Sequence, residues 1–140
     1  MKKIKKILVM GLPGSGKTTL VKEIKKKIKF KWLNADKVRK KFNDWDFSKK
    51  GVLRQAVRMN ELALKSKNKI IIADFICPYK EGRKLFNPDI IIWMDTIKKG
   101  RLPTFDKKFQ KPKKFDLKIK RKNLKLNTKK VVNYLKNLNL

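Results

Sequence analysis

The sequence predicts a single α/β domain in which helices flank a five-stranded parallel sheet, with a short lid beside it. Three observations lead there. Short, uninterrupted apolar runs recur at Ile7-Leu8-Val9-Met10, Ile70-Ile71-Ile72-Ala73 and Ile90-Ile91-Ile92-Trp93-Met94, as in strands buried on both faces. Segments with apolar residues at helical spacing alternate with these runs. The first run also opens directly into a glycine-rich turn, residues 11 to 18, with a helical segment behind it.

In chain order, Ile7 to Met10 is the first strand, and residues 17 to 28 form a helix with Leu20, Val21, Ile24 and Ile28 on one face. Phe30 to Leu33 reads as a weaker second strand. Asp36 is placed to cap a short helix through Phe42. Residues 50 to 66 carry Val52, Leu53, Ala56, Val57, Met59, Ala63 and Leu64, a long helix opened by Gly51. The third and fourth strands, at Ile70 and Ile90, enclose a further helix. Residues 98 to 114 lack apolar periodicity and hold Gly100, Pro103 and Pro112, which predicts a lid loop. Phe115 to Ile119 is the expected last strand and Val131 to Leu138 the last helix. Strands alternating with helices imply right-handed crossovers. No repeat or linker is visible, so one domain is expected over residues 1–140.

Composition excludes several kinds of function. With 41% hydrophobic residues the chain can bury a core, despite a formal net charge of +30. The single cysteine, Cys77, rules out an intrachain disulfide and fits a reducing compartment. There is no histidine, so acid–base chemistry falls to carboxylates, lysines or tyrosines. The lysine-rich N-terminus precedes an apolar run too short for a secretion signal, and no stretch approaches the roughly 20 apolar residues of a membrane span. A cytoplasmic protein with no membrane partner is expected. Only Arg39, Arg54, Arg58, Arg83, Arg101 and Arg121 of the 41 basic residues are arginine, and the lysines are spread along the chain. That pattern reads as compositional, with attraction of phosphates as its consequence.

The turn at residues 11 to 18 has the pattern of a P-loop: Gly11-Leu12-Pro13-Gly14-Ser15-Gly16-Lys17-Thr18, followed by Thr19. Gly11, Gly14 and Gly16 let backbone N–H groups turn inward around phosphate oxygens. Lys17 reaches the β and γ phosphates of ATP, and the Thr18 hydroxyl ligates Mg²⁺. The helix that follows points its positive end at the anion. ATP and Mg²⁺ are the expected cofactors.

After the second strand comes Leu33-Asn34-Ala35-Asp36-Lys37-Val38-Arg39. Asp36 and Arg39 are three apart at a helix start, so both can face one cleft. A carboxylate there can hold Mg²⁺ or take the proton of an attacking hydroxyl, and an arginine can clamp a second phosphate. Further along, Ile70-Ile71-Ile72-Ala73-Asp74 reads as a strand ending in a Mg²⁺-linked carboxylate.

With these segments the chain resembles the adenylylsulfate (APS) kinases, which phosphorylate the ribose 3′-hydroxyl of adenosine 5′-phosphosulfate with Mg·ATP. Their P-loop resembles residues 11 to 19. Their Asp-Gly-Asp-Asn-Val-Arg segment resembles Asn34 to Arg39, their Gly-Phe-Ser resembles Asp46-Phe47-Ser48, and their Ala-Phe-Ile-Ser-Pro resembles Asp74-Phe75-Ile76-Cys77-Pro78. Their Val-Asp-Thr resembles Met94-Asp95-Thr96, and their Ile-Asp-x-x-Tyr-Glu-x-Pro resembles Phe105 to Pro112. The resemblance implies that Asp36 is the catalytic or metal-linked carboxylate and that Arg39 holds the acceptor's phosphosulfate. It implies that Phe47 stacks on the acceptor's adenine, with Phe105 on the other side, and that Phe75, Gln55, Arg54 and Arg58 belong to the substrate side. The chain departs from the family pattern at Asn34 and Ala35, at Cys77 in place of serine, at Asp74 in place of a small residue, and in a shorter lid of which Ile97 to Arg101 remain. The metal set is then Thr18 with Asp74, with Asp36 as a further ligand or as the base.

The expected function is therefore ATP-dependent phosphorylation of a hydroxyl on a small nucleotide-like acceptor, APS first. A polynucleotide 5′-hydroxyl kinase also fits Asp36 and Arg39 and would use the positive charge, which leaves nucleic acid as a less favoured partner. Another small-molecule P-loop kinase is a further alternative, and a non-catalytic nucleotide-binding module is the remaining reading. No oligomeric state is assigned.

Overall fold

The computed structural model describes residues 4–101 and 103–138. Lys2 and Lys3 of the basic N-terminus and Leu102 of the expected lid lie outside them. Five parallel strands form one sheet: β1 (Lys5–Met10), β2 (Lys31–Asn34), β3 (Ile70–Asp74), β4 (Ile90–Met94) and β5 (Leu117–Ile119). Their spatial order is β2-β3-β1-β4-β5. The most apolar strands, β1, β3 and β4, therefore sit side by side in the middle.

Side chains alternate across a strand, so each central strand feeds two cores. On one face Ile7, Val9, Ile72, Ile90 and Ile92 meet Leu20, Val21 and Ile24 of α1 (Lys17–Lys25) and Val131, Val132 and Leu135 of α6 (Leu124–Lys136). On the other face Leu8, Met10, Ile71, Ala73 and Trp93 meet Ala56, Met59 and Ala63 of α3 (Lys49–Lys65) and Phe86 of α4 (Lys80–Phe86). The result is a helix–sheet–helix sandwich with the parallel sheet buried on both sides. Among the described residues no helix is long and apolar enough to cross a membrane.

Several element ends differ from expectation. Strand β2 runs straight into α2 (Ala35–Phe42), so the cap falls to the last strand residue. Asn34, not Asp36, accepts the Lys37 N–H at 3.1 Å. Asp36 sits exposed within the first turn. Helix α3 is capped by Ser48, whose hydroxyl accepts from the Gly51 N–H. The lid is not all loop: it contains α5 (Pro103–Lys108). Helix α6 starts about two turns before Val131, capped by Asn123.

Candidate active site

The C-terminal ends of β1, β3 and β2, together with the segments that follow them, enclose a cleft of about 490 Å³. This is the side on which open parallel sheets bind ligands. Its donor half is the turn after β1. Gly11 is required by crowding: a methyl there would lie 2.6 Å from the Met94 carbonyl oxygen. Gly16 has φ +99°, a conformation that side chains resist, just where α1 begins. Lys17 is buried, and its Nζ donates to the carbonyls of Gly11 (2.8 Å) and Leu12 (2.9 Å). Burial pushes the Lys17 pKa down to about 8, the nearby Asp74 and Asp36 carboxylates oppose that fall, and Arg101 adds to it. The turn is braced from outside by Thr96 Oγ1, which donates to the Ser15 carbonyl (2.7 Å), and by Lys122 Nζ, which donates to the Gly14 carbonyl (2.9 Å).

Asp74 ends β3 almost completely buried. Trp32 Nε1 donates to its Oδ2 at 2.6 Å, and Asn34 Nδ2 lies 3.3 and 3.2 Å from its two oxygens. The Thr18 hydroxyl is 3.4 Å from Oδ1. Desolvation raises the Asp74 pKa to about 6, with the Trp32 and Asn34 hydrogen bonds and the Lys17 charge pulling the other way. Among the described residues there is no cluster of three or more His, Cys, Asp and Glu that could cage an ion. One carboxylate beside one hydroxyl suits Mg²⁺, which keeps waters and phosphate oxygens in its shell and needs few protein ligands.

The opposite half of the cleft, where the acceptor is expected from the sequence, is formed by α2, the 43–48 loop and the first turns of α3. Asp36, Arg39, Phe47 and Gln55 line the cleft with Phe75 and Phe105. Arg39 is buried, donates Nη1 to the carbonyls of Asp44 (3.0 Å) and Asp46 (3.3 Å), and covers the Phe47 ring. Phe47 meets Phe105 edge to face at 6.0 Å. Phe105 is almost fully buried against Leu12, Val52 and Tyr79, a pillar behind Phe47 more than a second open stacking face. Phe75 packs edge to face on Phe86 in the core while reaching the cleft wall. Gln55 donates Nε2 to the Ala35 carbonyl, and its buried Oε1 has no hydrogen-bond partner among the described residues.

Of the sequence-selected residues, Pro13, Gly14, Gly16, Lys17, Thr18 and Thr19 line the donor end, whereas Gly11, Leu12 and Ser15 form the turn's inner side. Arg54 and Arg58 do not line the cleft. Arg54 pairs with Asp44 (2.8 Å) and Asp46 (3.1 Å), and Arg58 pairs with Asp44 (3.0 Å) while covering Phe42. The Arg54 guanidinium holds the Asp44 carboxyl well below the usual carboxylate range. Sequence reading did not select Trp32, Lys122 or Arg101 for the site. Arg101 ends the Ile97–Arg101 stretch that stands in the lid's place, donates its backbone N–H to the Pro13 carbonyl and lines the cleft beside Gly14. A lone arginine after a glycine carries no motif, and Trp32 signals only an apolar strand. Cys77 is buried at the cleft wall with its thiol pushed up to about 12 by burial, which makes it inert.

The whole chain shares its fold with small-molecule kinases. It is similar to a Mycobacterium tuberculosis APS kinase solved with AMPPNP and APS (TM-score 0.78, 20% identity, covering 97% of this chain and 99% of that one). A Sinorhizobium meliloti gluconokinase (TM-score 0.69, 11% identity, 99% and 95% covered) and an Acinetobacter baumannii shikimate kinase (TM-score 0.65, 17% identity, 97% and 96% covered) share it too. No match is found among curated proteins. The family model for adenylylsulphate kinase matches residues 3–90, more than half of the 140. With the P-loop in place on that fold, the chain belongs to the adenylylsulphate kinase family of P-loop phosphotransferases, enzymes that act on a hydroxyl acceptor.

Proposed function

We propose that this kinase transfers the γ-phosphate of ATP to a hydroxyl of a small nucleotide-like acceptor, with APS the first candidate. The observation that carries the proposal is shared access: the P-loop with Lys17, the Thr18–Asp74 pair and the exposed Asp36 carboxylate all open onto one cleft. The family match and the APS kinase neighbour favour APS over other acceptors. So does an acceptor wall with the half-exposed Phe47 ring, Arg39 and a buried oxygen, Gln55 Oε1, that has no partner among the described residues and suits an N–H or O–H donor.

In this reading the P-loop amides and Lys17 hold the donor phosphates and stabilise charge on the transferring group. Asp36, on the first turn of α2, orients the acceptor hydroxyl and takes its proton. Arg39 and Phe47 hold the acceptor's anionic group and base. Thr18 and Asp74 would hold the metal, which supplies charge neutralisation between the phosphates. Arg101 contributes a second positive charge at the Gly14 end of the cradle.

The test is an acceptor screen with Mg·ATP: APS, nucleosides, gluconate, shikimate and 5′-hydroxyl oligonucleotides. Turnover with APS well above the others supports the proposal, and ATP binding without transfer to any acceptor sinks it. The net charge of +30 favours one competing reading, a polynucleotide acceptor. Under that reading the oligonucleotide is the best acceptor, and its affinity falls steeply with salt, with a slope reflecting several phosphates.

A further inference from the structure

We propose that Trp32 and Asn34 are positioning residues for a divalent-cation carboxylate at Asp74, and that either member of the Asn34–Asp74 pair can carry that carboxylate. The proposal rests on the kinase reading and goes beyond it by assigning work to two residues outside the catalytic set.

The two positions are register partners on neighbouring parallel strands, so their side chains leave the sheet on the same side and at the same height. Both are the last residues of their strands, level with the point where β1 gives way to the P-loop. The orientation of the Asn34 amide is fixed independently of Asp74. Its Oδ1 accepts the Lys37 N–H as the cap of α2, so its Nδ2 must point away, toward the carboxylate. Nδ2 indeed lies within 3.3 Å of both Asp74 oxygens and 3.4 Å from Thr18 Oγ1. Trp32, two residues back on the same face of β2, takes Oδ2 with its indole N–H. Oδ1 is the oxygen that faces the Thr18 hydroxyl. Two donors thus fix the rotation of the carboxylate so that one oxygen is presented to the donor end of the cleft. Carboxylates that hold metals are tuned by this kind of outer hydrogen bonding.

The exchange follows from counting donors and acceptors. An aspartate at position 34 caps α2 as well as asparagine does. Its second oxygen would stand where Nδ2 stands now, beside Thr18. An asparagine at position 74 would accept from Trp32 through its amide oxygen and donate its NH₂ to the new carboxylate. Net charge and pairing are conserved, and the charged oxygen stays at the same end of the cleft.

The experiment is calorimetric titration of the 140-residue chain with AMPPNP, in excess EDTA and again in Mg²⁺, together with Mn²⁺ binding followed by electron paramagnetic resonance. Expected results are as follows. Mg²⁺ tightens AMPPNP binding to the wild type. Asp74→Asn loses about tenfold or more of the Mg²⁺ gain, read as the ratio of the variant's own affinities in Mg²⁺ and in EDTA. The Asn34→Asp/Asp74→Asn exchange recovers most of it. Trp32→Phe loses about tenfold of the gain. Asp74→Asn with a wild-type Mg²⁺ gain overturns the proposal, as does a folded exchange variant no better than Asp74→Asn. If the exchange variant fails to fold, Trp32→Phe decides: an unchanged Mg²⁺ gain overturns it. Failure of the wild type to bind AMPPNP even in EDTA would instead undo the kinase reading.

Discussion

The guanidinium carbon of Arg39 lies 4.4 Å from the centre of the Phe47 ring, while Nη1 of the same side chain holds the carbonyls of Asp44 and Asp46. One residue therefore shapes the acceptor loop and covers the aromatic ring within it. A lysine, a single point charge without a flat guanidinium, cannot hold both carbonyls and lie flat on the ring at once. Arg39→Lys is expected to raise the KM for the acceptor about tenfold or more while leaving the KM for ATP within about threefold. Equal losses for both substrates would show that Arg39 supports the whole cleft and not its acceptor half.

Asp36 makes the next prediction. It is exposed at the cleft, and the first-turn cap is supplied by Asn34, so Asp36 does not cap the helix it sits on. Asp36→Asn should reduce kcat by about 10²- to 10⁴-fold, the range for general acid–base catalysis, with ATP affinity and melting temperature unchanged. A variant with near-normal kcat would remove the base assignment.

Lys17 should take up a proton when nucleotide binds. In the folded protein its pKa lies near 8, below the ordinary lysine value, so the group is about half protonated at pH 8. Phosphates beside it restore the charged form. Calorimetry at pH 8 in buffers of different ionisation enthalpy should therefore show uptake of about half a proton. Lys17→Met should abolish both the uptake and phosphoryl transfer. The same depressed pKa means that Lys17 costs the ligand-free protein stability below pH 8, and that this cost fades as pH rises from 8 toward 10.5.

Asp74 gives a pH signature of opposite origin. Its pKa is raised to about 6, so between roughly pH 4 and pH 6 the native state holds a proton that the unfolded chain has lost. Stability from this group is present at low pH and is lost as pH rises through 6, by up to about 3 kcal/mol. Urea unfolding of ligand-free wild type and Asp74→Asn at pH 4.5 and pH 7 should show the wild type losing ground relative to the variant at the higher pH. A constant difference between the two would contradict the assigned environment.

Gly51 supplies a prediction against helix propensity. Replacing glycine by alanine inside a helix ordinarily stabilises it by about 1 kcal/mol. Here a methyl at Gly51 would overlap the backbone carbonyl oxygen and the side chain of Asp46. Gly51→Ala should therefore destabilise the protein by about 1–3 kcal/mol in chemical unfolding. It should also raise the acceptor KM, because the 43–48 loop must move.

The sheet and the donor site were legible because each rests on a local signal. Ile7 to Met10, Ile70 to Ala73 and Ile90 to Met94 have no polar face to misread, and the P-loop is a contiguous motif. The lid helix α5 was not legible, since Phe105 and Phe109 are too few apolar residues to set a period among Lys107, Lys108 and Asp106. The start of α6 was missed because Leu124 and Leu126 are exposed and the cap is a single asparagine. Arg54 and Arg58 carried the right charge for an anionic acceptor, but their partner Asp44 lies 10 and 14 residues away, a pairing that sequence spacing does not reveal. Trp32 was invisible for a similar reason: its indole N–H meets a carboxylate 42 residues later.

The two halves of the cleft are anchored differently. The donor cradle is tied to the central strands through β1, through Asp74 on β3 and through Thr96 just after β4. The acceptor loop is held by Arg39 and by ion pairs of Arg54 and Arg58 with Asp44 and Asp46, at the protein surface. Mutations in that loop break no strand ladder and remove no phosphate contact. In evolutionary terms, if the proposed acceptor side holds, the substrate is written on a replaceable part: a lineage with this scaffold can then change what it phosphorylates by rewriting residues 43–48 and their arginine partners, while the P-loop half passes through unaltered.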